Sequence, residues 1–292
     1  MRILEKLTGM AIQKRFLISL LMLFEVCAGF SQQLFFNRVL PSDGISFRHV
    51  TAIAQDQKGY LWFTTRRGLY RYDGYEMISY KNNPLDPNSL ASNLLETICI
   101  DSAGNIWIGT QGAGLDRFDP ETGIFQHFRH DPNNPASIGL DFQSALLADH
   151  NGDIWIGGVG LDHFDASSGT FTHYINDPAD PSSLSCDAVV TIYKDKQGTI
   201  WIGTGSVYGV AEGNTEGGLN RFDRETGKFT RYMHDPSDPY SLINNKVSAI
   251  FEDSKGTFWV GTAGDGLHTM DRDNGTFERL TYDPLHPEKL SR

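Results

Sequence analysis

One heptapeptide recurs along this chain and limits its fold more than any other feature. Gly104-Asn-Ile-Trp107-Ile-Gly-Thr110 returns as Gly152-Asp-Ile-Trp155-Ile-Gly-Gly158, Gly198-Thr-Ile-Trp201-Ile-Gly-Thr204 and Gly256-Thr-Phe-Trp259-Val-Gly-Thr262. A looser copy is Gly59-Tyr-Leu-Trp62-Phe-Thr-Thr65. These five tryptophans are all the chain has, at spacings of 45, 48, 46 and 58. A recurrence of that length makes each unit one supersecondary element, which must stack on its neighbours to bury a core.

Counting from each Trp resolves the unit. Asp56, Asp101, Asp149, Asp195 and Asp253 stand six residues before it, and Gly59, Gly104, Gly152, Gly198 and Gly256 three before. Asp-x-x-Gly between apolar stretches is a tight turn: Asp bonds the turn's backbone and Gly accepts a positive φ. A β-rich segment such as Ala188–Tyr193 precedes the turn, and the Ile-Trp-Ile strand follows it. A third strand repeats as Gly68–Asp73, Gly114–Asp119, Gly160–Asp165, Gly218–Asp223 and Gly266–Asp271, and an outer strand follows, as at Phe125–Phe128, Phe171–Tyr174 and Thr276–Tyr282. A Pro-bearing connector closes each unit, as in Asp131-Pro-Asn-Asn-Pro-Ala-Ser-Ile138; proline there withholds ladder donors and stiffens the crossing.

Four short antiparallel strands per unit predict an all-β fold, a β-propeller of four-stranded blades. The blades are expected at about 45–82, 90–130, 138–176, 184–234 and 242–282, with an extra outer strand at 33–40. Tryptophan and its aromatic companions supply the faces by which blades stack. Small residues at one inner-strand slot (Ala52, Thr97, Ala145, Thr191, Ala249) suit crowding near the axis. The Gly and Thr closing each heptapeptide are expected to guide the chain into the next loop. Two-residue alternation and Gly turns exclude a helical solenoid. The longest Trp spacing reflects an insertion between Trp201 and Gly218.

Composition narrows the function classes. Hydrophobic residues make up 39%, with 30 Gly and 12 Pro, which suits a turn-rich globular β protein. The formal net charge is −11, and residues 1–31 hold four of the cations. A surface so acidic argues against nucleic acid as a partner. Lys14-Arg15, the apolar run Phe16–Phe24 and small residues to Ser31 read as a signal peptide over 1–31 that directs export; an uncleaved anchor is the alternative. Beyond it Cys99 and Cys186 occupy different slots of the unit and are expected as separate buried thiols.

Asp-x-x-Gly-x-Ile-Trp-Ile-Gly-Thr, Gly-Leu-x-Arg-Phe-Asp and His-Asp-Pro-x-x-Pro-x-Ser-Leu together resemble the two-component regulator propeller repeat, through all five units over residues 33–290. The resemblance implies the exported, periplasmic sensor region of a bacterial hybrid two-component histidine kinase. It implies a glycan fragment or other small ligand, and as partners the rest of a sensor kinase or a separate protein, with a homodimer also open. The resemblance also implies seven blades, the usual number in that family's propellers. Five units with one spare strand lead us to expect a truncated seven-bladed propeller, the alternative being a five-bladed ring with a loose first strand. Membrane tethering through the N-terminal segment or further C-terminal regions stays open.

In propellers, the connectors and the loops between second and third strands share one face. Three residues past each connector's Leu or Ile stand Arg48, Asn93, Asp141, Asp187 and Asn245, a polar ring able to meet sugar hydroxyls. The bland reading is that Asx residues there cap their own turns. Arg66, Arg67 and Gln111 lie in neighbouring loops, and Tyr208, Glu212, Asn214 and Glu216 in the insertion; loops on a rigid scaffold carry function more often than repeat-consensus positions do. Their bland reading is solvated surface. The recurring Arg71, Arg117 and Arg221 read as structural, and His127 and His173 as equivalent outer-strand positions. No metal-ligand spacing, nucleophile elbow or phosphate loop appears, so neither catalytic residues nor a cofactor is expected. The rival readings are a propeller glycosidase or lyase using Asp141 and Asp187, the only acidic ring members, and a protein-interaction scaffold.

Overall fold

The structure is a computed structural model that describes residues 49–149, 152–205, 217–263 and 266–280. The signal segment, the 33–40 strand, Arg48 and the insertion residues Tyr208, Glu212, Asn214 and Glu216 fall outside that set.

Among the described residues twenty strands form five sheets, each ordered as in the sequence and antiparallel throughout. The first blade holds β1 (Val50–Gln55), β2 (Leu61–Thr65), β3 (Gly68–Tyr72) and β4 (Met77–Tyr80). The second holds β5 (Leu95–Ile100), β6 (Ile106–Thr110), β7 (Leu115–Asp119) and β8 (Ile124–Phe128). The third holds β9 (Ala145–Ala148), β10 (Ile154–Gly158), β11 (Gly160–Asp165) and β12 (Thr170–Tyr174). The fourth holds β13 (Val189–Lys194), β14 (Ile200–Thr204), β15 (Gly218–Asp223) and β16 (Lys228–Tyr232). The fifth holds β17 (Val247–Glu252), β18 (Phe258–Thr262), β19 (Gly266–Asp271) and β20 (Thr276–Leu280). Inner strands of consecutive blades pack side by side, β1 on β5, β5 on β9, β9 on β13 and β13 on β17.

The Asp of the turn does more than shape it. Asp101 Oδ1 accepts the N–H groups of Ala103 (3.0 Å) and Asn105 (2.9 Å), and Gly104 supplies the positive φ of 90°. Its Oδ2 accepts the indole N–H of Trp107 at 2.9 Å. The same bond joins Asp56 to Trp62 (2.8 Å), Asp149 to Trp155 (3.4 Å), Asp195 to Trp201 (2.9 Å) and Asp253 to Trp259 (3.1 Å). The fixed six-residue spacing therefore lets one carboxylate satisfy a hairpin turn and an otherwise buried indole donor together.

Each indole then meets the following blade. Ring centroids lie 5.9 Å apart for Trp62 and Phe118, 5.2 Å for Trp107 and Phe164, 4.9 Å for Trp155 and Phe222, and 4.8 Å for Trp201 and Phe258. The connector's apolar residue joins the same cluster, Leu90 beside Trp62, Ile138 beside Trp107, Leu184 beside Trp155 and Leu242 beside Trp201. Trp259 differs from the other four in being partly exposed. It shares with Phe251 and Leu267 an apolar groove of about 360 Å³ on the outer face of the fifth blade. Among the described residues no comparable packing links that blade to the first.

The Gly of Ile-Gly-Thr turns out to serve blade packing rather than loop guidance. A Cβ on Gly203 would lie 2.6 Å from Thr191 Cγ2 and 2.8 Å from Val247 Cγ1 of the next inner strand. Gly109 meets Thr97 and Gln143, and Gly157 meets Val189, in the same way. Gly203→Val is expected to destabilise by about 1–3 kcal/mol, the usual range for overpacking a filled core, read as a lower urea midpoint. The Thr does shape the loop: Thr110 Oγ1 accepts Ala113 N–H at 2.8 Å and donates to Gly114 C=O at 2.7 Å.

One buried slot of the third strand anchors the connector leading into each blade after the first. Asp116, Asp162, Asn220 and His268 accept the N–H groups of Ala91, Gly139, Ser185 and Ile243, at 2.8, 2.8, 2.9 and 3.0 Å. His127 stands between Asp116 Oδ1 (2.6 Å) and Pro87 C=O (3.0 Å), and His173 between Asp162 Oδ1 (2.6 Å) and Pro135 C=O (3.1 Å). Both partners of each ring can only accept, so the imidazolium fits best. The Asp116 hydrogen bond raises the His127 pKa. At His173 burial opposes, and the bond and charge of Asp162 outweigh it. A raised folded pKa gives stability that is complete below the unfolded value of about 6.5 and lost as pH rises through the folded value. Melting temperature should therefore fall over that range more steeply in the native chain than in the His127→Gln/His173→Gln variant. His268, whose pKa is lowered by burial, acts alike in both.

Candidate functional site

The loop between second and third strands of each blade closes onto the start of the next inner strand. Gly68 N–H donates to Asn93 C=O (2.9 Å), and Gly112 and Gly114 N–H both donate to Asp141 C=O (3.0 Å each). Gly160 N–H donates to Asp187 C=O at 2.6 Å, and in the fourth blade the loop ends Gly205 and Gly217 crowd Asn245 C=O, a Cβ on them falling 3.0 and 2.7 Å from it. Glycine is required at the loop's end: a Cβ on Gly114, whose φ is 80°, would sit 2.2 Å from Phe128 O. The loops and the ring positions thus share one face and touch across the described blade boundaries.

The ring side chains have a common job. Asn93, Asp141, Asp187 and Asn245 each use Oδ1 to accept a backbone N–H from the residue eleven positions earlier: Asn82 (2.9 Å), His130 (2.8 Å), Asn176 (2.6 Å) and His234 (2.6 Å). Each is half-buried and pins the start of its own connector. The second carboxyl oxygens of Asp141 and Asp187 make no hydrogen bond among the described residues.

Arg66 and Arg67 are exposed in the β2–β3 loop, which is closed by Thr65 Oγ1 accepting Arg67 N–H at 2.9 Å. Gln111 is the best-placed loop residue. Its N–H donates to Leu94 C=O (2.9 Å), it bridges to Phe142, and its Nε2 donates to Glu96 Oε2 at 2.5 Å. Phe142 is 44% exposed, and its carbonyl lies against Gly158. Val159, 55% exposed, alone separates β10 from β11 and bridges to Ala188. Leu94, Gln111, Phe142 and Val159 thus run in sequence across the face.

Glu96, Phe142 and Val159 escaped the sequence reading, which followed positions that recur. The available signal was a departure from consensus: blade three has Gly158-Val159-Gly160 where its neighbours carry Thr and a longer loop. The surface combines an aromatic ring with an amide–carboxylate pair, a combination that suits an amphipathic small molecule.

No group of three or more His, Cys, Asp or Glu among the described residues is arranged to hold a metal ion. Cys99 and Cys186 form no disulfide with each other, and burial pushes both thiols up in pKa. The basic side chains of the third strands belong to the framework. Arg71, Arg117, His163 and Arg221 lie directly across the ladder from Trp62, Trp107, Trp155 and Trp201, with Arg117 5.8 Å from the Trp107 ring and His163 4.3 Å from that of Trp155.

The family model described as "Two component regulator propeller" matches residues 44–67, 89–112, 183–206 and 241–264. Among solved structures, the extracellular domain of a hybrid two component system from B. thetaiotaomicron is similar at 27% identity with a TM-score of 0.67, covering 81% of this chain and 30% of that one. An auxiliary nutrient binding protein from Bacteroides thetaiotaomicron VPI-5482 shares the fold at 12% identity and a TM-score of 0.52, over 82% of this chain and 59% of that one. Histidine kinase P4 of Formosa agariphila is 43% identical over 56 residues, 19% of this chain and 4% of that protein. The chain therefore spans 30% of the extracellular domain and the match to the kinase 4% of that protein.

Proposed function

We propose that this chain, which is built of two-component regulator propeller repeats, is the exported, non-catalytic ligand-sensing part of a two-component signalling system. The ligand is read as a small amphipathic molecule, a glycan fragment in the first instance, held on the connector face by Gln111, Glu96 and Phe142. Asn93, Asp141, Asp187, Asn245, Arg66 and Arg67 form its polar surroundings. The observation that carries this reading is the exposed Phe142 ring beside the Gln111–Glu96 pair, on a face where loops are locked to the next blade by backbone hydrogen bonds. A rigid frame bearing an exposed aromatic and paired polar groups favours binding over chemistry. Delivery to the periplasm, and a sensor kinase or separate partner protein to receive the signal, belong to the same proposal.

Calorimetric titration with a panel of oligosaccharides checks it. Binding of at least one is expected, weakened about tenfold or more by Phe142→Ala, a loss of roughly 1.4 kcal/mol or more. Absence of heat across the panel, or indifference to Phe142→Ala, counts against the site. The glycosidase reading makes Asp141 and Asp187 the catalytic pair, and chromatography of incubated oligosaccharides tests it: cleavage that disappears in Asp141→Asn/Asp187→Asn would replace our reading.

A further inference from the structure

The turns on the opposite face carry a pattern of their own. In three inner blades the turn carboxylate takes a second donor besides its indole. Asp101 Oδ2 accepts Asn105 Nδ2 at 2.8 Å, Asp195 Oδ2 accepts Arg272 Nη1 at 2.9 Å, and Asp149 Oδ2 pairs with Arg224. Both arginines come from the following blade, each directly after the aspartate that ends its third strand. There the guanidinium also lies over a ring, Arg224 5.9 Å from Trp155 and Arg272 5.1 Å from Phe258.

At the boundary of the first two blades both supplies are missing. The counterpart of the arginine is Pro120, and the counterpart of Asn105 is Tyr60, which has no amide. Asp56 Oδ2 keeps its bond to Trp62 Nε1 and takes no cation among the described residues. In place of the arginine is a pocket of about 350 Å³ lined by Asp56, Tyr60, Trp62, Asp119, Pro120 and Glu121, within the size range of small-ligand sites. Two cations border it without filling the role. Arg71 lines it, 4.6 Å from the Tyr60 ring centroid and 5.9 Å from that of Trp62, in the own-blade slot that His163 holds opposite Trp155 rather than the cross-blade place of Arg224. It makes no ion pair among the described residues and leaves its buried Nε without a hydrogen-bond partner. Lys58 is engaged with Glu121 at 2.5 Å at the exposed rim.

We propose that this pocket binds a guanidinium group from outside, which takes at Asp56 and Trp62 the place that Arg224 takes at Asp149 and Trp155. A planar cation suits an aromatic wall beside a carboxylate, where it gains ring stacking and a charge-assisted hydrogen bond together. The guanidinium belongs either to a free arginine-like molecule or to an exposed arginine of a polypeptide. The pocket lies on the turn face, so this inference stands or falls separately from the connector-face site.

The test follows the Trp62 indole N–H signal by NMR while the full chain is titrated with agmatine, with acetyl-Gly-Arg-Gly-amide and with its lysine counterpart. A saturable shift is expected for the guanidinium compounds in the millimolar range; agmatine alone would point to a small molecule, the tripeptide alone to a polypeptide. Pro120→Arg and Tyr60→Asn import the two internal solutions, and each should weaken that shift about tenfold. Pro120→Arg should also raise the melting temperature. Equal binding of the lysine peptide, no Trp62 response, or an unchanged response in both folded variants would overturn the proposal.

Discussion

Trp107→Ala is expected to remove about 3–5 kcal/mol of unfolding free energy, the range for deleting a large buried aromatic. The side chain is 1% exposed, and it stacks on Phe128 of its own blade and on Phe164 of the next. Its loss leaves a cavity at a blade boundary and takes the indole donor from Asp101. Trp259→Ala is the matched control, since Trp259 is partly exposed on the face of the fifth blade. Urea titration of the two variants should show a clearly larger midpoint shift for position 107. Equal shifts would mean that tryptophan acts within its own hairpin and not between blades.

Asp101→Ala should cost about 3 kcal/mol, because it strands several donors at once and a single buried unsatisfied group costs about 1–3 kcal/mol. The carboxylate, 6% exposed, accepts from Ala103 N, Asn105 N, Asn105 Nδ2 and Trp107 Nε1. Asp101→Asn keeps one acceptor and should recover part of the loss. The same substitution at Asp119, which caps an exposed turn through Glu121 N and Thr122, should cost well under half as much. Thermal unfolding of the three variants ranks them. A cost at Asp119 matching that at Asp101 would show that turn capping alone, without the indole, accounts for the aspartate.

The blade was legible in the sequence because its determinants are local and recur. Asp, Gly and Trp at fixed offsets mark a turn and a strand, and five copies at similar spacing leave few folds open. The reason for the spacing was not legible, since the bond from Trp107 Nε1 to Asp101 Oδ2 depends on where the hairpin carries the ring. The Gly of Ile-Gly-Thr was misassigned on similar grounds: Gly203 is small because Val247, 44 residues on, presses against it. The face of the candidate site was readable from topology, and Gln111 was correctly placed in a loop on it. Phe142 was invisible to a search for recurring residues, because its position holds Leu94, Phe142, Ala188 and Lys246 in successive units and carries no repeat signal.

Ligand location can be read most directly by hydrogen–deuterium exchange on the full chain, with and without an oligosaccharide that calorimetry has shown to bind. Sensing through the connector face leads to added protection in segments 93–96, 111–114 and 140–143, with the Asp-x-x-Gly turns at 56–59 and 101–104 unchanged. Protection confined to those turns, with the connector-face segments exchanging as before, would contradict it.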